Sequence, residues 1–111
     1  MAKLPGRYQQ FREEFPAISR AYDDIVRLTG EAGPLGEKYV QLVKLAMAIG
    51  SAQEGAVHSH ARRALEAGTT AAEVRHVGLL ALATLGFPRM MTGLAWIDDV
   101  IQEGKDRKSV V

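Results

Sequence analysis

The stretch of this chain richest in reactive side chains is Ser51-Ala-Gln-Glu-Gly-Ala-Val-His-Ser-His-Ala-Arg-Arg-Ala-Leu-Glu-Ala-Gly68, with His58 and His60 two residues apart and Glu54 one helical turn before the first. A His-x-His pair invites a metal reading. On a helix, residues two apart point about 200° away from each other, so His58 and His60 cannot share an ion. A strand would allow it, but Ser51-x-x-Glu54 reads as a capping box that opens a run of helix formers. No metal is expected. Stepping about 100° per residue places His60 between Ala56 and Ala64, on an apolar arc with Val57, Ala61, Leu65 and Ala67. Ser59, Arg62, Arg63 and Glu66 take the opposite arc, and His58 falls at the boundary. His60 therefore reads either as a core histidine bonded to a backbone carbonyl or as a pocket acid/base whose pKa is moved by burial. His58 reads as a boundary residue in contact with Glu54. Glu54 is either the third residue after its cap or a group that orients His60 and shuttles a proton.

The elements that must position these residues follow from glycine, proline and hydroxyl punctuation, which divides the chain into six helical pieces with no strand-like alternation. Tyr8, Phe11 and Phe15 share a helical face that Pro16 interrupts. Pro16 then suits the first turn of a second helix carrying Ile18, Ala21, Tyr22, Ile25 and Leu28, which Gly30 ends. A third helix runs from Glu37 to about Ile49. Capping boxes at Ser51–Glu54 and Thr70–Glu73 predict helices over roughly 52–67 and 71–85, with Gly68 and Gly86 at left-handed C-terminal positions. Pro88 starts the last helix, which is expected to stop at Gly104. The fold class is all-α, one six-helix domain over 1–111, with residues 1–6 and 105–111 frayed. Leu45–Ile49 and Val77–Leu85 lack a solvent-facing stripe, so a central buried helical hairpin is expected. So much apolar surface on a small domain also predicts self-association.

Composition narrows the function. The chain has 111 residues, 14 Lys+Arg against 13 Asp+Glu, and no cysteine. Charge so balanced and interspersed gives no reason to expect nucleic acid or an anionic membrane as partner. The lack of cysteine removes disulfides, thiolate metal sites and every thiol mechanism. The residues after Met1–Arg7 are not the apolar run of a signal peptide, and Val77–Pro88 is shorter than the ~18 residues of a membrane span. A cytoplasmic protein is expected.

The run Glu54-Gly-Ala-Val-His-Ser-His60, with Ala61-Arg-Arg-Ala-Leu-Glu-Ala-Gly68, Thr70-x-x-Glu73-Val and Gly86-Phe-Pro88, resembles the carboxymuconolactone decarboxylase family, whose superfamily includes the alkyl hydroperoxidase D enzymes. The resemblance covers about 36–101. It implies an all-helical fold and a homotrimer or homohexamer. The hydroperoxidase branch uses a glutamate, Cys-x-x-Cys and a histidine; counted back from His60, these positions hold Gln41, Gln53 and Ala56. Glutamine is no base, and neither glutamine nor alanine attacks a peroxide bond. Peroxidase activity transferred from the family is therefore disfavoured.

The decarboxylase branch resembles this chain at Glu54, Gly55, His60, Gly86 and Pro88, but has arginine where this chain has Gln53. An arginine is a natural partner for a substrate carboxylate. Lys44 and Arg89 are candidate replacements. Two readings stand: a cofactor-free enzyme that decarboxylates or isomerises a small unsaturated lactone or acid through His60 and Glu54, or a non-catalytic oligomeric member of the fold. No cofactor is expected in either.

Overall fold

A computed structural model describes residues 6–109. Six helices follow one another: α1 (Gly6–Glu14), α2 (Pro16–Glu31), α3 (Glu37–Gly50), α4 (Glu54–Glu66), α5 (Ala71–Leu85) and α6 (Phe87–Ser109). No strand occurs among the described residues. They form two compact units, one ending at Leu35 and one beginning at Gly36.

In the first unit, the Phe11 and Phe15 rings pack at a tilt, 5.7 Å between centroids, at the α1–α2 junction. The Tyr8 hydroxyl donates to Asp23 at 3.3 Å, and Arg12 pairs with the same carboxylate. Ile18, Tyr22, Ile25 and Leu28 form an exposed apolar face on α2.

In the second unit α3 packs chiefly on α4, and α5 on α6. Leu45, Ile49, Val57, Val74 and Ile97 are fully buried and make the core. Gly78 lets α6 approach α5: a Cβ there would meet Leu94 at 2.8 Å and Ile97 at 3.1 Å. Gly93 likewise takes Ile49 of α3, with a Cβ-to-Cγ2 distance of 3.0 Å.

Three local expectations change. Ser51 does not cap α4. Its hydroxyl donates back to the Met47 carbonyl at 3.0 Å, while Ala52 N–H reaches Ile49 and Gln53 N–H reaches Ala48, both at 3.1 Å. That bond pattern is a Schellman ending for α3, with Ala52 at φ 57° where glycine is usual. The chain needs Ser51 and Ala52 to finish one helix, so they are not available to begin the next, and α4 starts at Glu54 behind an N-cap, Gln53, that makes no side-chain bond. The Thr70–Glu73 box forms in both directions, at 2.8 and 3.1 Å. Gly68 and Gly86 take the expected positive φ, 102° and 103°.

The last helix does not stop at Gly104; it continues through Lys105 to Ser109. Arg107 pairs with Glu103 one turn back and Gln102 with Asp106, side-chain bonds that offset a single glycine's weak helix preference. Residues 1–5, 110 and 111 of the expected frayed ends lie outside the described residues. Nor is there a helical hairpin buried on all sides. Leu79, Leu80, Leu82 and Leu85 of α5 and Met47 of α3 are 44–66% exposed within one chain. Between α3 and α5 lies an apolar groove of about 490 Å³.

Candidate functional site

The faces of α3 and α4 that meet carry Gln41, Lys44 and Ala48 from one helix and Gln53, Ala56 and His60 from the other. Helical spacing puts each set on one stripe, at i, i+3 and i+7. Between them is a cavity of about 190 Å³, lined by Lys44, Met47, Ala48 and Ser51 on the α3 side and by Gln53, Ala56 and His60 on the other. That volume lies below the roughly 300–1,000 Å³ of drug-sized sites and corresponds to about six water molecules of liquid.

His60 is half-buried here and shares the cavity lining with Ala48 and Ala56. Its Nδ1 lies 2.8 Å from Oε1 of the buried Gln41. Gln41 in turn donates its Nε2–H to Glu37 at 2.8 Å. Burial lowers the His60 pKa from its ordinary value, and the nearby charges of Arg63 and Lys44 lower it further. The partner is an amide, so no carboxylate reverses the sign. A neutral imidazole beside a cation can take a proton from a ligand whose negative charge the cation holds.

Of the two candidate cations, Lys44 lies on the cavity. Arg89 does not: its guanidinium donates to the Ile49 and Gly50 carbonyls at 3.3 and 3.0 Å, where it caps the negative end of α3.

Glu54 and His58 belong elsewhere. His58 Nε2 lies 3.0 Å from Asp99 Oδ2 of α6, and Glu54 adds a carboxylate oxygen within 4.8 Å of both groups. One turn on, Arg62 repeats the α4–α6 pairing with Glu103 at 3.1 Å. Glu54, His58 and Asp99 are donor types that can hold a divalent cation, and Glu54 and Asp99 are exposed. Glu54 does not line the His60 cavity. Sequence spacing finds the Glu54–His58 neighbourhood but has no signal for Asp99, 41 residues after His58. Glu37 does carry a sequence signal, since four residues before Gln41 is one helical turn.

A profile of the carboxymuconolactone decarboxylase family matches residues 15–99. The chain belongs to that family. Its fold is similar to that of the crystal structure of the apo form of a carboxymuconolactone decarboxylase family protein from Legionella pneumophila, with a TM-score of 0.76, 19% identity and 86% of each chain covered. No curated protein gives a significant match. In this carboxymuconolactone decarboxylase family member, the positions that the resemblance assigns to a peroxidase relay do converge: Gln53, Ala56 and His60 line one cavity, and Gln41 bonds His60. Three of the four hold residues with no acid, base or thiol to offer. No helix among the described residues is long and apolar enough to cross a membrane.

Proposed function

We propose that the α3–α4 cavity binds a small unsaturated organic acid or lactone and that His60 carries a proton to and from it without a cofactor. The observation that carries this reading is that a half-buried His60 and Lys44 line one small open cavity. Lys44 would hold a carboxylate, or the enolate oxygen that forms when a carbon next to a carbonyl loses its proton. His60, neutral at pH 7, would take that proton and return it to a different carbon, which is isomerisation. Loss of carbon dioxide is supported less well, because a cation on the departing carboxylate stabilises the ground state. Glu54 has no part in this version.

The test is solvent exchange. Incubated in deuterated water with a panel of β,γ-unsaturated acids and lactone acids, the protein should move deuterium into at least one of them, and His60→Gln should not. A second reading, ligand binding without catalysis, is favoured by a cavity lining that, among the described residues, carries no carboxylate to share a proton with His60. Saturable binding by the wild type with no exchange in any panel member would select it.

We also propose that the protein is a homotrimer or homohexamer in the cytoplasm. The apolar α3–α5 groove and the exposed leucines of α5 support burial against a second copy.

A further inference from the structure

The reading of His60 as a proton carrier leaves open which ring nitrogen carries the proton, and the hydrogen-bond polarity between α3 and α4 bears on it. Glu37, Gln41 and His60 form a chain with two 2.8 Å links. A carboxylate accepts hydrogen bonds and does not donate them, so the Gln41 amide must turn its NH2 toward Glu37. Its oxygen then faces His60, and Nδ1 must donate. Among the described residues nothing bonds Nε2. Gln41 is buried and both of its ends are engaged, so reversing the amide would set its oxygen against the Glu37 carboxylate, a repulsion that no change of His60 tautomer relieves.

We propose that Glu37 is a positioning residue that, through Gln41, locks His60 as the Nδ1–H tautomer and leaves Nε2 as the nitrogen that gains and loses the proton. It touches neither cavity nor ligand; its effect is to give the amide between them a direction. This rests on the proton-carrier reading for its purpose but not for its test, which needs no ligand. The resemblance places a glutamate at position 41. Here glutamine holds that position and the carboxylate stands one turn earlier, at Glu37, where it reaches His60 only through the Gln41 amide.

Long-range proton–nitrogen NMR correlation on the ring-labelled protein reads the tautomer directly. In the wild type, at a pH where His60 is neutral, the account expects a protonated Nδ1 and an unprotonated Nε2. Glu37→Ala should give a mixture of tautomers, because Gln41 can then turn either way. Glu37→Gln, similar in shape but able to present oxygen or NH2, should lose the single-tautomer signal too, whereas Glu37→Asp should retain part of it. Glu37 is exposed, so these variants should keep the amide spectrum of the folded protein. A wild-type His60 protonated on Nε2, or a Glu37→Ala protein that keeps Nδ1–H in full, would overturn the assignment. If the tautomer behaves as expected and no acid undergoes exchange, only the proton-carrier reading falls.

Discussion

Replacing Lys44 with methionine keeps most of the side chain's apolar bulk and removes its charge, which the account makes responsible for two separate effects. The first is on binding. A charge-assisted hydrogen bond to a carboxylate contributes about 1.5–3 kcal/mol, or roughly 10- to 150-fold in affinity. Lys44 is only partly buried, so solvent screening favours the lower end, and a loss of about tenfold for a small dicarboxylate such as fumarate is expected. The second effect is on His60. Lys44 is one of the charges that hold its pKa down, after burial and Arg63, so removing it raises the pKa. Burial and Arg63 remain, so the value stays below the ordinary one. Calorimetry with fumarate and an NMR titration of the His60 ring measure the two effects on the same sample. An unchanged affinity together with an unchanged His60 titration would show that Lys44 does not face the imidazole or its ligand, and the cavity would lose its anion partner.

Three further outcomes are expected. Ala52→Gly relieves a left-handed alanine at the end of α3 and should stabilise the protein by about 1 kcal/mol, raising Tm by a few degrees in a thermal melt. Because the His60 pKa is lower in the folded chain, the unfolded chain takes up its proton first as pH falls; stability should drop from about pH 6.5 downward and level off once folded His60 is protonated, a segment that urea titrations should find flattened in His60→Gln. Light scattering should give a trimer or hexamer, and Leu80→Lys, on the exposed face of α5, should shift it toward monomer; a wild-type monomer at micromolar concentration would contradict the proposed assembly.

Helical periodicity and end signals made six helices and most of their bounds legible in the sequence. They failed at Ser51, because Ser-x-x-Glu is the same string whether its hydroxyl opens α4 or closes α3. Only the length of the α3–α4 connection decides that, since Ser51 and Ala52 are both consumed by the end of α3. Gly104 misled for a related reason: a glycine late in a helix stops it only if no side-chain pairs carry on across it, and Glu103–Arg107 does. At the site, phase within one helix is legible, and it puts His60 on the apolar arc and His58 on the boundary. What each histidine bonds was not. Asp99 comes from a helix 41 residues away, and no local pattern signals which α6 residue will face His58. The burial expected for α5 reflected its composition correctly, but composition does not say whether the cover comes from the same chain.

The central claim is that the functional cavity is the one at His60, and paired alanine variants test it most directly. Fumarate or an exchange-active acid from the panel is titrated calorimetrically into His60→Ala and His58→Ala under the same conditions. The account predicts that His60→Ala loses binding or binds far more weakly, because the ring forms one wall of the cavity. His58→Ala, which removes only a partner of Asp99 on the other side of α4, should bind like the wild type. Loss of binding in His58→Ala with binding intact in His60→Ala would contradict the claim and move the site to the α4–α6 surface.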